Sequence, residues 1–294
     1  MASVKRVLSI QGHPTRGYAG NTSATFTLQI SGFDVDTIHS AQFSNHPGYK
    51  VFGTGPVLSA QDLINIIDGL RENDLLTYSH LLIGYIADKS FLEQVHSVAL
   101  ELKEKNKDLM FVCDPVLGDN GAYYVPQELQ PVYKEKLIPI ADLITPNTFE
   151  AEKLTGITIE TEEDAMKAID KLLSFGPKTV FLTSMQHETK PDVLVTLGKN
   201  QKGEYARVEM PRIPALFTGT GDMFCALLLA WSCEPLQIAC EKAVCIVNAM
   251  LKKTLSYALE MSGGGPPKVE HLELRLIQNT DIIKSPPPIS ELFL

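Results

Sequence analysis

Residues 143–156, LITPNTFEAEKLTG, contain a short apolar strand, a Pro-Asn break and a short helix in direct succession. Residues 143–145 are predicted as the strand, and Pro146 ends it because proline has no N–H to donate to a neighbouring strand. Residues 149–155 are predicted as a helix that Gly156 terminates. A strand followed at once by a helix is typical of a parallel sheet covered by helices.

The same alternation runs along the whole chain. Strands are predicted at residues 6–11, 33–40, 80–85, 110–114, 143–145, 179–184 and 193–197, and helices at 21–31, 59–72, 91–106, 149–155, 161–175, 222–232 and 236–261. Asn21, Ser59 and Thr161 are predicted helix caps, and Thr161 forms a capping-box pattern with Asp164. The pattern predicts an α/β fold with a central, mostly parallel sheet and helices on both faces.

The chain is predicted to form one domain over residues 1–294, because no break in composition divides it. The last part, from about residue 285, follows the proline-rich stretch 285–288 and is expected to be an ordered or partly frayed tail. The first residues contain too short an apolar stretch for a secretory signal. No apolar run approaches the length of about 20 residues that a membrane span needs.

The charge balance narrows the choice of partners. Lys and Arg total 26 against 35 Asp and Glu, which leaves a formal net charge of -9. Such a surface repels phosphate backbones and anionic lipids, so we expect neither a nucleic acid nor a membrane partner. An anionic ligand would have to be held by backbone N–H groups, a metal ion or a few well-placed cations.

The five cysteines are Cys113, Cys225, Cys233, Cys240 and Cys245. The number is odd, and four of them lie in apolar, helix-like sequence, which argues against a disulfide framework. Cys240 and Cys245 have no second Cys or His pair nearby at ligand spacing, so a metal pair is not favoured. Buried free thiols in a reducing cytosol are the simpler interpretation.

Polar and glycine-rich stretches follow the predicted strands at residues 12–13, 42–49, 114–119, 145–147 and 183–184. Each stretch alone could be an ordinary loop. The carboxyl ends of parallel strands meet at one edge of the sheet, where ligands bind in open α/β folds. Together, these stretches therefore predict a binding site along that edge.

Two G-T-G segments occur, and neither belongs to a P-loop or a complete dinucleotide fingerprint. The first, at 53–55, precedes Pro56 and is interpreted as a turn. The second belongs to Phe217-Thr218-Gly219-Thr220-Gly221-Asp222 and leads directly into an apolar helix. Its glycines would let backbone N–H groups converge on an anion at the helix N-terminus. Asp222 is either an acid that caps the helix or a general base beside that anion hole.

Carboxylates also follow two neighbouring predicted strands. Asp114 and Asp119 come just after residues 110–113, and Glu150 stands at a helix start after residues 143–145. Oxygen ligands completed by water suit Mg²⁺ bridging phosphates. Acidic helix caps are the structural alternative for each of them.

G-T-G-D at a helix start, with D-P-V-L-G-D at 114–119 and T-P-N-x-x-E at 145–150, resembles the ribokinase-like small-molecule kinases. Within them, the chain is similar to the pyridoxal kinases at residues 8–11, 16–21, 42–46, 84–85, 124–126 and 273–275. The resemblance covers nearly the whole chain. It implies a ribokinase-like three-layer sandwich and a homodimer in the cytosol.

The resemblance also implies roles for individual positions in phosphoryl transfer. Asp222 corresponds to the residue that accepts the proton of the vitamin's 5′-hydroxyl, and Gly219, Thr220 and Gly221 correspond to an anion hole. Asp119 and Glu150 correspond to groups that hold Mg²⁺ directly or through water. Residues corresponding to a site for a monovalent cation such as K⁺ or Na⁺ are Asp114, Thr145 and Thr183.

The same resemblance assigns the two small-molecule sites. Residues corresponding to the segments around ATP are Asp114, Tyr124, Asn147, Thr148, Phe149, Glu150, Thr183, Ser184, Ile213, Pro214, Ala215 and Thr220, with Tyr124 on the loop that covers the active site. Residues corresponding to the vitamin pocket are Gly12, Phe43, Pro47, Tyr85 and Asp222. The covering loop, residues 119–124, is short in this chain.

Two positions of the vitamin pocket depart from the family pattern. Relatives commonly have serine where this chain has Gly12 and threonine where it has Pro47. Each lost side-chain hydrogen bond is worth about 0.5–1.5 kcal/mol, so we expect weaker vitamin binding with the phosphoryl-transfer groups unchanged.

The resemblance implies an ATP:pyridoxal 5′-phosphotransferase that also accepts pyridoxine and pyridoxamine. The enzymatic alternative is a kinase for another hydroxymethyl heterocycle, such as hydroxymethylpyrimidine. The non-enzymatic alternative is a vitamer-binding protein without catalysis, and the retention of Asp222 and both sets of carboxylates argues against it.

Overall fold

The computed structural model describes residues 5–294, so the first part of the region considered for a signal sequence lies outside it. The strands are β1 Arg6–Arg16, β2 Asp34–Asn45, β3 His80–Ile83, β4 Met110–Cys113, β5 Gly118–Asp119, β6 Ala122–Tyr123, β7 Leu143–Ile144, β8 Thr179–Gln186, β9 Val193–Asn200 and β10 Tyr205–Pro211. The helices are α1 Asn21–Ile30, α2 Ala60–Glu72, α3 Lys89–Lys105, α4 Leu129–Val132, α5 Thr148–Thr155, α6 Glu162–Ser174, α7 Thr220–Ala230, α8 Leu236–Ser262 and α9 Thr280–Lys284.

One large sheet organises the described part of the chain, in the order β10-β9-β8-β7-β4-β3-β1-β2. All neighbours from β8 to β2 are parallel, and only the β8–β9 and β9–β10 pairs are antiparallel. The predicted mostly parallel sheet is confirmed. Its carboxyl edge carries the loops that the sequence singled out.

Helices cover both faces of this sheet. Leu81 and Ile83 of β3 belong to a core formed with α2 to α6, whereas Leu82 belongs to a second core formed with α1, α7, α8 and α9. Burial on both faces explains why residues 81–83 of β3 are apolar without alternation. The α/β arrangement with helices on both faces is therefore confirmed.

Several local predictions hold in the structure. Ser59 caps α2 in a reciprocal capping box with Asp62, and the Thr161 side chain accepts a hydrogen bond from Asp164 N at the start of α6. Gly156 ends α5 in the left-handed conformation, with φ 72°. Such a conformation costs glycine little because it has no Cβ.

The prediction that Asn21 caps α1 is wrong. Gly20 occupies the cap position, and the Asn21 side chain instead bonds the Ser9 hydroxyl and the carbonyl oxygens of Gln11 and Ile38. A buried amide must satisfy its donors and acceptor, and here strands β1 and β2 supply the partners.

The turn predicted at residues 53–55 is also wrong. This segment runs extended beside β2, with hydrogen bonds from Gln42 N to Pro56 O and from Ser44 N to Thr54 O. A Cβ on Gly55 would lie 1.7 Å from Gln42 O, so close backbone approach explains the glycine. Cys233 is another correction, because it is exposed while the other four free thiols are buried.

The predicted elements do not include β10, the β5–β6 hairpin, α4 or the π-helical turn Tyr133–Leu137 that follows α4. The tail after residue 285 packs on the body: Leu292 is buried, and its carbonyl oxygen accepts a hydrogen bond from Lys252 Nζ. A single domain over the whole chain stays a prediction. No helix in residues 5–294 is both long and apolar enough to cross a membrane.

Candidate active site

The G-T-G-D segment forms the N-terminus of α7. Gly219 is the cap residue with φ +84°, and the first bond within the helix runs from Met223 N to Gly219 O. The N–H groups of Thr220 and Gly221 therefore have no partner inside the helix, as at any helix start. Together with the helix dipole, they can hold an anion.

Glycine is required at position 219 because the backbone of the β1–α1 loop lies directly against it. A Cβ there would be 1.7 Å from Tyr18 O and 3.1 Å from Ala19 Cα. On the other side, the Ser23 hydroxyl donates to Gly219 O at 3.0 Å. The start of α7 is thus fixed between the β1–α1 loop and α1.

Asp222 lies in the first turn of α7 and keeps an intermediate exposure to solvent. Burial raises the pKa of its carboxyl group above the usual value, and the nearby backbone N–H groups of Gly20 and of Asp222 itself partly oppose this shift. An acid beside the N–H groups of a helix start is what a capping role needs. The intermediate exposure of the residue is also compatible with access of a hydroxyl group, as a general base requires.

Asp114 and Glu150 lie on the same edge and are both buried. Burial and then the charge of Asp222 raise the pKa of Asp114 to about 8, and the hydroxyl of Thr145 partly opposes this shift. Burial and then the charge of Asp114 raise the pKa of Glu150 well above its usual range. Within residues 5–294, no cation contributes to any of these three shifts.

Backbone N–H groups occupy much of the Glu150 carboxylate. Oε2 accepts from Asn147 N and Oε1 from Leu117 N, each at 2.9 Å, and Glu150 N donates to Asn147 Oδ1. Asn147 also donates to Gly118 O. The capping interpretation of Glu150 is therefore confirmed, and the same bonds join the loop after β4 to the start of α5.

Asp119 is exposed on the β5–β6 hairpin and accepts hydrogen bonds from the backbone N and Nδ2 of Asn120. It lies close enough to Tyr124 that, after burial, the charges of Asp119 and Glu150 raise the pKa of that phenol. The hairpin turn has Asn120 at φ 49° and Gly121 at φ 79°. The Asn-Gly pair is a strong hairpin signal that could have revealed it in the sequence.

The predicted nucleotide segments converge in part. Asn147 and Thr183 form a parallel bridge, and Thr183 N donates to Pro146 O at 3.0 Å. Ser184 has φ 55° at a register shift of the β8–β9 pair, an unusual conformation for serine. Residues 213–215 form the loop between β10 and α7, and Ala215 N bonds Ile213 O.

Thr145 is buried, and its hydroxyl donates to the Cys225 sulfur at 3.4 Å and lowers the pKa of Asp114. Within residues 5–294, no group of three or more His, Cys, Asp or Glu side chains is arranged to hold a metal ion. The metal roles of Asp119, Glu150, Asp114, Thr145 and Thr183 thus stay predictions.

The residues predicted for the vitamin pocket form an aromatic corner. The ring centroids of Phe43 and Tyr85 are 6.0 Å apart, and Gly12 N donates to Tyr85 O. Phe52 also packs on Phe43, with their ring centroids 5.4 Å apart, and this contact was not predicted from the sequence. Pro47 is exposed, beside the buried His46.

Sequence and structure comparisons relate the chain to known kinases. A family model described as phosphomethylpyrimidine kinase matches residues 76–266. Pyridoxal kinase from Bos taurus is 46% identical over 299 residues, covering 96% of each chain, and that from Arabidopsis thaliana is 47% identical over 289 residues, covering 96% of this chain and 92% of the relative.

The crystal structure of Leishmania donovani pyridoxal kinase in complex with ADP and pyridoxine is similar to this fold, with a TM-score of 0.88 and 35% identity over 96% of each chain. This similarity confirms the expected fold. With the identity to the curated relatives, it also confirms the resemblance stated from the sequence motifs. The chain therefore belongs to the pyridoxal kinase family.

Proposed function

We propose that this protein transfers the γ-phosphoryl group of ATP to the 5′-hydroxymethyl group of pyridoxal, giving pyridoxal 5′-phosphate and ADP. Pyridoxine and pyridoxamine would be further substrates. The observation that carries the proposal is the placement of Asp222: an acidic residue of intermediate exposure in the first turn of α7, beside the free N–H groups of the helix start. Family membership and the bound ADP and pyridoxine of the Leishmania relative support it.

The proposed chemistry assigns two tasks to the start of α7. The Asp222 carboxylate takes the proton of the attacking hydroxyl, and its raised pKa makes it a better base than an exposed aspartate. The N–H groups of Thr220 and Gly221 stabilise the charge on the transferred phosphoryl group. Positioning and charge stabilisation of this kind supply most of the acceleration in phosphoryl transfer.

The acidic edge fits a cationic cofactor, because three neighbouring carboxylates have oxygen donors and no cation of the described residues shifts their pKa values. Asp119 and Glu150 would hold Mg²⁺, with Glu150 acting through water because backbone N–H groups already occupy its oxygens. Asp114, Thr145 and Thr183 would hold a monovalent cation such as K⁺ or Na⁺. When bound, the divalent ion neutralises charge on the phosphates.

The vitamin ring would lie against Phe43 and Tyr85, with contacts of shape and aromatic surface. Gly12 and Pro47 offer the ring no side-chain hydroxyl. This lack, with the phosphomethylpyrimidine kinase description of the matching family model, favours a hydroxymethylpyrimidine as the second candidate substrate. The proposal further includes a homodimer in the cytosol, which rests on the family resemblance and on five free thiols.

The test is an Asp222→Asn variant assayed for ADP release with pyridoxal, pyridoxine, pyridoxamine and hydroxymethylpyrimidine. Loss of a general base should lower kcat by about 10²–10⁴-fold with nucleotide affinity changed only a few-fold. Asp62→Asn is the matched control, because Asp62 occupies the equivalent first-turn position of α2 and only caps it.

If both variants keep wild-type kcat, Asp222 is a capping acid and the mechanism is wrong. If the wild-type protein phosphorylates hydroxymethylpyrimidine in preference to every B6 vitamer, the substrate assignment is wrong while the mechanism stands. Wild-type protein that binds vitamers without releasing ADP would establish the non-catalytic alternative. Light scattering after size exclusion tests the dimer.

A further inference from the structure

Glu273 connects its own segment of the chain to two others near the proposed active site. Its Oε2 accepts a hydrogen bond from Tyr18 N at 3.0 Å. Its Oε1 accepts from His46 Nε2 and from the Tyr49 hydroxyl, both at 2.8 Å. The side chain is only 14% exposed, so these bonds form with little competition from water.

The first of these segments is the β1–α1 loop, residues 17–20, which contacts the start of α7. Glu273 and His46 lie so close to Gly17 that a Cβ there would be 2.5 Å from Glu273 Oε1. One residue later, Tyr18 O lies directly against Gly219, the cap residue of α7. The loop is therefore held by Glu273 on one side and contacts the start of α7 on the other.

The second segment, residues 46–49, follows the vitamin-pocket residue Phe43. Gly48 N donates to His46 Nδ1 at 3.1 Å, so the ring proton is assigned to Nε2, which donates to Glu273. Gly48 also lies beside Thr218, since a Cβ there would be 2.8 Å from the Thr218 hydroxyl. Both segments thus meet Glu273 and the residues next to the G-T-G-D turn.

We propose that Glu273 is a positioning residue that holds the β1–α1 loop against the start of α7 and so fixes the Asp222 carboxylate for proton transfer. The inference rests on the proposed function, since it assigns the base to Asp222. Glu273 itself touches neither the substrate nor the phosphoryl group. It acts through the Tyr18 backbone, which lies against Gly219 at the start of α7.

The experiment compares Glu273→Ala and Glu273→Gln with the wild-type protein. Misplacing a catalytic group by about 1 Å costs about 10²-fold, and we expect a fall of that order in kcat for Glu273→Ala with KM for ATP nearly unchanged. Gln keeps one acceptor oxygen but presents an amide donor to either the Tyr18 N–H or the His46 N–H. The kcat of Glu273→Gln should therefore lie between those of Glu273→Ala and the wild-type protein.

The matched control is Glu162→Ala, which removes a partly buried carboxylate from an ion pair with Arg207 on β10. It should leave kcat unchanged. A rise in KM for ATP without a fall in kcat, or wild-type kinetics in a folded Glu273→Ala, would overturn the positioning role. If Glu273→Ala does not fold, wild-type kcat in Glu273→Gln would do the same.

Failure of this inference is distinguishable from failure of the proposed function. If Asp222→Asn retains wild-type kcat, the assignment of the base is wrong whatever Glu273 does. If Asp222→Asn is inactive and the Glu273 variants behave as wild type, only the positioning role is wrong.

Discussion

Replacing Gly219 with alanine should disable the start of α7 while leaving every hydrogen-bonding group in place. Gly219 has φ +84°, and the missing Cβ would lie 1.7 Å from Tyr18 O and 3.1 Å from Ala19 Cα. The left-handed conformation costs alanine about 1–2 kcal/mol before any contact is counted. A carbon–oxygen contact normally needs about 3.3 Å, so either the Tyr18 backbone or the helix start must move by more than about 1 Å.

That movement separates the groups on which the proposed reaction depends. Gly20, whose N–H lowers the pKa of Asp222, lies on the same short loop as Tyr18, so displacing Tyr18 displaces a group next to the base. Because a misplacement of about 1 Å costs about 10²-fold in rate, Gly219→Ala should lose at least that much in kcat. The midpoint of thermal unfolding, Tm, should also fall.

Steady-state kinetics and thermal denaturation measure both effects. Gly69→Ala is the control, because Gly69 lies in α2 and the position that its Cβ would take is open space. Alanine there should stabilise the helix by about 0.5–1 kcal/mol. A Gly219→Ala protein with wild-type kcat and Tm would refute the reasoning, since the close contact with Tyr18 would then impose nothing on the site.

Three further predictions follow from the acidic edge and the vitamin pocket. Alanine at Asp119 or Glu150 should raise the Mg²⁺ concentration needed for half-maximal activity, and the two effects should be less than additive because both residues act on one ion. Only Glu150→Ala should also lower Tm, because it leaves buried N–H groups unpaired. Titrations with Mg²⁺ measure the metal dependence, and an unchanged dependence in both variants would assign both residues to structure. The pKa of Asp114 is raised from 3.8 to about 8, so between these pH values the folded chain binds more protons than the unfolded chain, and Tm without added cations should fall as pH rises through this range. Added K⁺ but not choline should restore part of the lost Tm. A Tm that rises with pH would contradict the shift. Gly12→Ser with Pro47→Thr should lower KM for pyridoxal and not for ATP, because the two returning hydrogen bonds are worth at most about 1–3 kcal/mol of binding free energy. The gain is smaller if the Tyr85 ring, 3.1 Å from the new Cβ, must move. A KM for pyridoxal that stays constant or rises would mean that the pocket is built around the present residues.

The sequence predicts those elements whose hydrophobic pattern is set by burial on both faces. Residues 81–83 of strand β3 are all apolar because each face of the sheet is covered by a helical layer, and such a run is visible without the structure. Strand β10 alternates buried Ala206, Val208 and Met210 with more exposed residues, a weaker pattern that does not by itself identify a strand. Strands β1 and β2 extend beyond their apolar runs because they pair with each other past a register shift at Gln11 and His13.

The residues of the candidate site could be grouped from the sequence because they follow parallel strands, whose carboxyl ends share one edge. The juxtaposition of Asp114, Glu150 and Asp222 follows from that rule: the charge of Asp222 raises the pKa of Asp114, and the charge of Asp114 raises the pKa of Glu150. Glu273 could not be placed in this way, because its partners Tyr18 and His46 are more than two hundred residues distant in the chain. No local pattern connects such positions.

The acidic edge explains how a chain with a net charge of -9 could still bind a polyanion such as ATP. The fold brings three carboxylates together, and the backbone N–H groups of Leu117 and Asn147 bond the carboxylate of Glu150. These dipoles hold that side chain in place but do not cancel its charge. The pKa values of all three groups stay raised by burial, and those of Asp114 and Glu150 also by a neighbouring carboxylate. A cation is the one kind of ligand that would stabilise both this edge and a triphosphate beside it. The N–H groups at the start of α7 would bind the anion while the carboxylates bind the cation, so the two binding events would reinforce each other.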